Sequence, residues 1–263
     1  MIVFAIAMPP LGPISDRDAV EVFHLAFLAG FGAGSDKRPF VVKGGANLRF
    51  FFGSPRYSED MGFDVTPGFE THQVRERVDK ILTAPALKST LRAHGLSVAR
   101  VSAPKQTETT QRWKLGIEVA GRGFPVATKL EFSHRGVTGE HKLDPVSRDV
   151  AHAHGMVPPL AQHYLLSAAV AQKIRALAHR SETQARDVYD LDLLFSRAGP
   201  TRKTVLTTLR PLPPHAQERA LALSFDEFVG QVGSFLPAEA ALDRDAWEAM
   251  QLRVAEILSE TPT

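Results

Sequence analysis

The sequence predicts an α+β fold, in which a domain with a mixed or antiparallel sheet precedes an α-helical C-terminal domain. Two observations support this class. Residues 111–134 alternate between apolar and polar side chains around a glycine turn, which indicates an antiparallel hairpin. From Pro158 onward the apolar residues instead recur with helical spacing. Because strands precede helices rather than alternating with them, we expect a sheet domain over residues 1–150 and a helical domain over residues 151–263.

The composition is that of an ordinary globular protein. Of the 263 residues, 44% are hydrophobic, which is enough to bury a substantial core. The 31 basic residues nearly cancel the 29 acidic ones, so the net charge of +2 does not by itself indicate a nucleic-acid-binding protein. The absence of cysteine excludes disulfide bonds and suits the cytoplasm, where we expect the protein. No stretch approaches the roughly 20 apolar residues of a spanning helix, so we expect no membrane partner.

The first predicted element is an amphipathic helix. Ser15 can cap its N-terminus, and Val20, Phe23 and Phe27 fall on one side of it. We expect this helix to end in the glycine-rich segment at residues 30–34.

A strand, a glycine turn and a helix are predicted next, in direct succession. The sequence PFVVK indicates a short buried strand, Gly44 and Gly45 interrupt it, and ANLRFFF can start a helix at once. After a polar loop, residues 61–65 predict a second strand and residues 71–94 predict one helix.

The hairpin at residues 111–134 is expected to have one apolar and one polar face. Trp113 belongs to the apolar face of its first strand. On its second strand, Lys129, Glu131 and Ser133 share the polar face. The pattern therefore places Glu131 in the middle of a strand, on a polar face.

The C-terminal half is predicted to be mainly helical. Prolines near residues 200, 211–214 and 237 separate the helical segments. These helices are expected at about residues 161–180, 183–197, 202–210, 215–233 and 243–260.

Nucleotide chemistry is indicated by the segment KGGANLRFFFGSPRYSEDMGFDV, residues 43–65. Glycine at a helix N-terminus lets phosphates approach backbone N–H groups, and the helix dipole favours anions there. Nearby carboxylates could hold Mg²⁺ or Mn²⁺ against the same phosphates, and our candidate metal ligands are Asp60, Asp64 and Glu131. Asp60 and Asp64 are an even number of residues apart, so a strand would direct both to one face. The alternative is a tight turn followed by solvated carboxylates.

A second group of charged residues lies in AQKIRALAHRSETQARDVYDLDLL, residues 171–194. Lys173 and Arg180 project near the apolar stripe of one predicted helix, and Asp187 falls beside apolar residues of the next. Charges at the edge of an apolar stripe must be paired, hydrated or functional, because unpaired burial is costly. Two interpretations stay open, which are a salt bridge between the helices and phosphate binding by Lys173 and Arg180.

In this order and at this separation, the two segments resemble those of the AbiEii-like nucleotidyltransferases, toxins of type IV toxin–antitoxin systems within the polymerase β-like superfamily. KGGANLRFFFGSPRYSED resembles the family's lysine and glycine pair, the arginine after the turn and the Arg-x-Ser-x-Asp stretch. KIRALAHRSETQARDVYDL resembles its later lysine, arginine and Arg-Asp motif, and LEFSHR resembles the strand that supplies a further carboxylate. The matches span about residues 38–195 and are more specific together than any single motif.

The resemblance implies a role for each matching residue. The nucleotide-binding residues that it implies are Lys43, Gly44, Gly45, Arg49, Ser58, Lys173 and Arg186. The catalytic residues that it implies are Asp60, Glu131, Lys173 and Asp187.

The resemblance also implies an activity and partners. It implies transfer of a nucleoside monophosphate from an NTP to an RNA acceptor, with the 3′ end of tRNA expected, and a consequent inhibition of translation. Mg²⁺ or Mn²⁺ is the expected cofactor, and a winged-helix antitoxin is the expected protein partner. Transfer to a protein or to a small molecule is the enzymatic alternative.

One position departs from the family pattern. Gly62 stands where the family has the second acid of Asp-x-Asp, and Asp64 lies one strand repeat further on. Such a repeat advances about 6 to 7 Å, which is far compared with metal–ligand bonds of about 2 Å. The sequence therefore predicts weakened metal binding, and it leaves open a protein that binds NTP or antitoxin with little catalysis.

Overall fold

The computed structural model describes residues 14–32 and 39–260. The apolar N-terminal segment and the last residues of the predicted glycine-rich tail lie outside the described residues. Among the described residues, no helix is long and apolar enough to cross a membrane.

The chain divides into two compact units. Among the described residues, the first contains residues 14–32, 39–53, 58–137 and 142–163, and the second contains residues 54–57, 138–141 and 164–260. These bounds differ in detail from a single division after residue 150. The difference arises because a strand near residue 160 belongs to the sheet, while two short loops belong to the helical unit.

The first unit is built on a mixed sheet. Within the described part of the chain, its seven strands are β1 (Phe40–Lys43), β2 (Asp60–Val65), β3 (Leu96–Gln106), β4 (Thr110–Val119), β5 (Val126–Ser133), β6 (His141–Pro145) and β7 (Leu160–Tyr164). Their order across the sheet is β3-β4-β5-β2-β1-β7-β6. The pairs β3–β4, β4–β5 and β1–β2 are antiparallel, whereas β2–β5 and β1–β7 are parallel.

Helices cover one face of this sheet and form the core with it. The helices of the first unit are α1 (Asp16–Gly32), α2 (Gly44–Phe51), α3 (Thr71–Thr83), α4 (Pro85–Ala93) and α5 (Arg148–Ala153). Apolar residues of α1, α3 and α4 pack with Trp113, Phe63 and Phe132 in one cluster. The Phe63 and Phe132 rings stack at 4.7 Å, which joins β2 to β5 on this face.

Local sequence explains most of these elements. Ser15 accepts a hydrogen bond from the Asp18 backbone N–H, as expected of a helix cap. The strand, glycine turn and helix of the prediction are β1 and α2, which follow each other without a gap. The predicted hairpin is β4 and β5, and it is antiparallel.

One predicted helix is in fact two. Residues 71–94 form α3 and α4, which are separated at Ala84. Ala84 precedes Pro85 and is extended, with φ −62° and ψ 135°. Proline disfavours helical backbone in the residue before it but is favoured in the first turn of a helix, so it ends α3 and begins α4.

The sequence pattern missed three strands. β3 is exposed along almost its whole length and therefore lacks the alternation of a half-buried strand. β6 is similarly exposed. β7 falls at the start of a predicted helix, whose actual first residue is Leu166. Its register with β1, Val41 to Gln162 and Val42 to His163, is a long-range pairing that local periodicity does not reveal.

The second unit is helical. Its helices are α6 (Leu166–His179), α7 (Ala185–Ala198), α8 (Thr201–Thr208), α9 (Leu212–Leu221), α10 (Phe225–Gln231) and α11 (Arg244–Ser259). The segment predicted as one helix at residues 215–233 is α9 and α10, because Ser224 caps a new helix by accepting from the Glu227 N–H. The core of this unit includes Trp247 stacked on Phe228 at 4.5 Å.

Candidate active site

The sheet face opposite the helical core carries the candidate acidic residues. Residues two apart on a strand share a face, so Asp60, Gly62 and Asp64 of β2 project to the same side. The parallel register places β5 residues of the same face beside them, pairing Asp60 with Lys129, Gly62 with Glu131 and Asp64 with Ser133. We call this side of the sheet the polar face.

Each candidate carboxylate on the polar face has a cation from a neighbouring strand. Lys129 Nζ lies 2.5 Å from Asp60 Oδ2, and Lys43 Nζ lies 2.6 Å from Asp64 Oδ1. Arg112 donates to Glu131 Oε2 through both Nε, at 2.9 Å, and a terminal nitrogen, at 2.6 Å. Most of these side chains are partly exposed, and exposed ion pairs contribute about 1 kcal/mol or less, so a phosphate or a metal ion could displace the cation at small cost.

The predicted metal ligands do not form one ligand cluster. Among the residues that the structure describes, no group of three or more His, Asp and Glu side chains could hold a metal ion. Asp60 and Asp64 are four residues apart on β2, about 13 Å along an extended strand, which is too far for both to bind one ion through bonds of about 2 Å. Mg²⁺ is often held by one or two carboxylates plus substrate phosphates. Asp60 or Glu131 with substrate phosphates would correspond to that second arrangement rather than to a preformed cage.

Gly62 leaves room for Lys43 at the centre of the polar face. Lys43 pairs with Gly62, and a Cβ at position 62 would lie 3.4 Å from Lys43 Cγ and 3.6 Å from Lys43 Cε. The lysine side chain therefore passes beside the glycine to reach Asp64. These distances are ordinary van der Waals contacts, so a Cβ at position 62 fits with little adjustment.

The glycine turn lies at the end of the sheet where β2 begins. Gly44 starts α2 with φ +67°, a left-handed conformation that favours glycine, and a Cβ there would meet no atom within 4 Å. Lys43 occupies the cap position of α2 but makes no side-chain capping hydrogen bond. Because β1 and β2 are antiparallel, the turn after Lys43 lies at the same end of the sheet as Asp60. The N-terminus of α2, where helix N–H groups and the helix dipole favour anions, therefore lies at the same end of the sheet as Asp60.

Two other predicted nucleotide-binding residues have internal partners. Arg49 donates to both carboxylate oxygens of buried Glu21, at 2.7 and 3.0 Å, and His154 Nε2 lies 2.9 Å from the same carboxylate. These contacts engage Nε and one terminal nitrogen of Arg49 and give no support to a phosphate role for it. Ser58 donates its hydroxyl to the Asp60 carbonyl at 2.7 Å, so it braces the start of β2.

The helical unit contains a buried ion network around Lys173. Its ammonium donates to Asp187 Oδ1 at 2.8 Å and lies 2.6 Å from Asp190 Oδ2. Arg56, on the loop segment of this unit, donates to both oxygens of Asp190. Asp187 and Asp190 are fully buried. Of the two interpretations left open by the sequence, the salt bridge between the helices is present.

Further arginines border this network. Arg180 Nε lies 2.8 Å from Asp187 Oδ2 without the geometry of a hydrogen bond. Arg186 is half-buried and has no hydrogen-bond or ion-pair partner among the described residues.

Burial alone would raise the pKa of Asp190, but Arg56 and Lys173 outweigh it and hold that pKa below 3.8. Asp190 is therefore ionised at neutral pH.

The sequence did not predict four members of these charged clusters, which are Arg56, Arg112, Lys129 and Asp190. Asp190 follows Asp187 by three residues and so shares its helix face, which was an available signal. The other three depend on strand register or on a loop contact, and no local spacing predicts them.

Comparison with known proteins decides the family. Residues 26–260 match the family model of the nucleotidyl transferase AbiEii toxin of type IV toxin–antitoxin systems. The chain belongs to the AbiEii family. It is a nucleotidyltransferase of that toxin family, and the α+β fold with a helical C-terminal region that the sequence predicts is the one observed.

Two solved structures share the fold of this AbiEii protein. JHP933 from Helicobacter pylori is 17% identical, with a TM-score of 0.61 over 94% of this chain and 93% of that one. A candidate nucleotidyltransferase from H. pylori is 18% identical, with a TM-score of 0.62 over 93% of this chain and 96% of that one. No curated protein matches the sequence.

We predict that the Lys173 network stabilises the helical unit of this AbiEii protein. Asp190→Asn removes a buried negative charge between Arg56 and Lys173, so the free energy of unfolding should fall by about 3 kcal/mol or more. Asp192→Asn is the matched control, because Asp192 pairs with half-exposed Arg253 and should cost about 1 kcal/mol or less. Urea denaturation at neutral pH measures both.

The pH dependence of the same variants gives a second readout. A carboxyl with a lowered pKa stabilises the fold above its ordinary pKa of 3.8, and this contribution is lost as the pH falls through the lowered value. The difference between wild type and Asp190→Asn should therefore shrink on acidification below about pH 4. A difference equal to that of Asp192→Asn at every pH would contradict the prediction.

Proposed function

We propose that this AbiEii nucleotidyltransferase transfers a nucleoside monophosphate from an NTP to a hydroxyl of an RNA acceptor, with the 3′ end of tRNA as that acceptor. The proposal rests on one observation. The glycine turn, whose helix has no side-chain cap, lies at the same end of the sheet as Asp60. Backbone N–H groups there favour phosphates, and a carboxylate there favours the Mg²⁺ or Mn²⁺ that accompanies a triphosphate. Modification of tRNA in the cytoplasm would inhibit translation.

The proposed reaction is a single displacement at the α-phosphorus. The acceptor oxygen forms a bond to phosphorus, the bond to the bridging oxygen of the leaving group breaks, and pyrophosphate departs with that electron pair. The hydroxyl proton passes to a carboxylate of the polar face, for which Glu131 is our candidate. A divalent cation bound with the triphosphate would offset the charge of the phosphate oxygens. Asp60 would hold that cation once Lys129 releases it.

The chain's own cations would orient the nucleotide. Lys43 borders the glycine turn and reaches the polar face, where it can pair with a phosphate instead of Asp64. In the helical unit, three cations surround two buried carboxylates, so this network keeps an excess of positive charge. An ammonium has three N–H donors, and Lys173 directs two of them at Asp187 and Asp190. We assign its third to a phosphate, with Arg186 as a further contact.

A protein partner is part of the same proposal. The family to which the chain belongs is that of type IV toxin–antitoxin systems. We propose a winged-helix antitoxin as its cognate partner. A neighbouring reading frame of that type, and relief of growth inhibition on its coexpression, would support this assignment.

The proposed activity predicts labelled RNA. The full chain is incubated with each α-labelled NTP, Mg²⁺ and total tRNA, and label on RNA and on protein is followed by gel electrophoresis. Asp60→Asn should lower labelling by about 100-fold or more, because it removes a charge that acts on the reacting phosphates. Glu248→Gln is the matched control, since Glu248 is an exposed acid of α11 in the helical unit and should retain wild-type labelling.

The distribution of label separates the candidate activities. Label on RNA that Asp60→Asn abolishes supports the proposal. Label on protein or on a small molecule, with none on RNA, would show that the acceptor is that molecule and not RNA. Equal labelling by Asp60→Asn and Glu248→Gln would show that Asp60 takes no part in the reaction.

The position of Gly62 favours a second candidate function, in which the chain binds nucleotide with little catalysis. Here Lys43, and not a second carboxylate, occupies the centre of the polar face. A cation at this position would bind phosphates, but it would disfavour a second metal ion by like charge.

Gly62→Asp tests this interpretation directly. The substitution fits sterically and would add a carboxylate between Lys43 and Glu131, so we expect Mn²⁺ affinity in the presence of NTP to rise about tenfold. Gly123→Asp adds the same charge at an exposed turn with open space and should change nothing. Electron paramagnetic resonance titration of Mn²⁺ and the labelling rate measure the effect. If neither rises above the Gly123→Asp value, Gly62 does not limit metal binding.

A further inference from the structure

The edge strand β3 has two irregularities in its pairing with β4. Between Val98 and Arg100, β3 advances two residues while β4 advances one, from Ile117 to Gly116. Between Ser102 and Lys105, β3 advances three residues while β4 advances two. These are β-bulges, and each one reverses which residues of the following strand face the two sides of the sheet.

Both bulges direct a basic side chain to the polar face. Arg100 pairs with Gly116, whereas Val98, two residues earlier, pairs with the core residue Ile117. A Cβ at Gly116 would lie 3.6 Å from the Arg100 Cβ, so Arg100 stands on the side opposite to the core. After the second bulge, Lys105 pairs with Arg112 and shares its face.

The result is a basic stripe that leads away from the candidate active site. In one row across the sheet, Asp60 pairs with Lys129, Lys129 with Lys114, and Lys114 with Ser102. In the adjacent row, Glu131 pairs with Arg112 and Arg112 with Lys105. From β2 to β3 these rows span three interstrand spacings, about 14 Å.

Three cations of this stripe lack internal partners. Arg100, Lys105 and Lys114 are exposed, and among the described residues none of their side chains has a hydrogen bond or an ion pair. By contrast, Lys129 and Arg112 neutralise Asp60 and Glu131. Glu118 is the one acid of β3 and β4 on this face, and it accepts a hydrogen bond from Ser97. The three cations outnumber it, so an excess of positive charge remains on β3 and β4, next to Asp60 and Glu131.

We propose that the polar face of β3 and β4 binds the phosphate backbone of the acceptor RNA, through Arg100, Lys105 and Lys114. This inference rests on the proposed function and locates its acceptor. About 14 Å corresponds to roughly four nucleotides at 3.4 Å per nucleotide in a helix, so the stripe can hold a strand whose end reaches Asp60. Phosphate contacts position a nucleic acid without reading its sequence, as a stripe of flexible cations would.

Protection of the sheet edge does not explain the whole stripe. Lysine, proline and bulges on an edge strand prevent pairing with other chains, and β3 has all three. That role does not require cations on one particular face. It also does not involve Lys114, which belongs to the interior strand β4. A single charged face that continues towards Asp60 instead fits an anionic polymer.

The test compares two sets of charge removal in the full chain. The stripe variant combines Arg100→Gln, Lys105→Gln and Lys114→Gln. The control variant combines Lys80→Gln, Lys88→Gln and Arg92→Gln, which are exposed cations of α3 and α4 on the opposite side of the sheet. Fluorescence anisotropy with labelled tRNA gives Kd at salt concentrations between roughly 50 and 200 mM. Over this range, the affinity of a protein that makes several phosphate contacts falls by roughly 1000-fold. Mn²⁺ and NTP binding are measured in parallel.

The stripe variant should weaken tRNA binding by about tenfold or more and lower the slope of log Kd against log salt by about 2 to 3. The control variant should match wild type, and NTP binding should be unchanged in both. A variant that keeps the three charges, with Arg100→Lys, Lys105→Arg and Lys114→Arg, should bind tRNA with wild-type affinity. Should the stripe variant fold poorly, Lys114→Gln alone is expected to lower the slope by about 0.7 to 0.9.

The possible failures are distinguishable. Equal tRNA affinity in the stripe and control variants, with wild type labelling RNA, overturns this inference and leaves the proposed function intact. Absence of RNA binding and labelling in wild type overturns both. If the stripe variant binds RNA as wild type does but no longer binds an acidic antitoxin, the stripe belongs to a protein partner, and the inference is also overturned.

Discussion

The parallel pairing of β2 with β5 is the constraint on which the candidate site depends. It joins residues that are 69 apart in sequence and sets Asp60, Gly62 and Asp64 beside Lys129, Glu131 and Ser133 in fixed register. On the other face, the same pairing stacks Phe63 on Phe132 within the core. Because side chains alternate along a strand, a slip of one residue would bury the acids and expose the aromatic rings. The hydrophobic core thus fixes the geometry of the polar face.

The two units use charge in different ways. On the polar face of the sheet, carboxylates pair with lysines and arginines that are partly exposed, and such pairs exchange partners at small energetic cost. In the helical unit, Asp187 and Asp190 are fully buried and are held by cations that cannot leave without a large penalty. The first arrangement suits a site that opens to phosphates and a metal ion, and the second suits a fixed scaffold that presents Lys173.

The elements of the fold and the site residues that could be predicted from the sequence are those whose pattern lies within one short segment. The hairpin, β1, the glycine turn and α2 follow from alternation and from glycine placement. The first family motif begins on β1 and α2, and the motif LEFSHR begins on the second strand of the hairpin. β3 could not be recognised, because both of its faces are exposed and its two bulges break the alternation. The partners of Asp60 and Glu131 could not be recognised either, since they come from register between distant strands. Asp190 was missed although its spacing from Asp187 placed it on the same helix face.

The central claim is that nucleotide phosphates bind at the end of the sheet formed by the glycine turn and Asp60. The most direct measurement is a crystal structure with Mn²⁺ and a non-hydrolysable NTP, using anomalous scattering to locate the metal. We expect Mn²⁺ bound to the Asp60 carboxylate at about 2.2 Å, triphosphate oxygens on the first N–H groups of α2, and Lys129 turned away from Asp60. A bound nucleotide with the Asp60–Lys129 ion pair intact, or Mn²⁺ at another place in the chain, would contradict the claim.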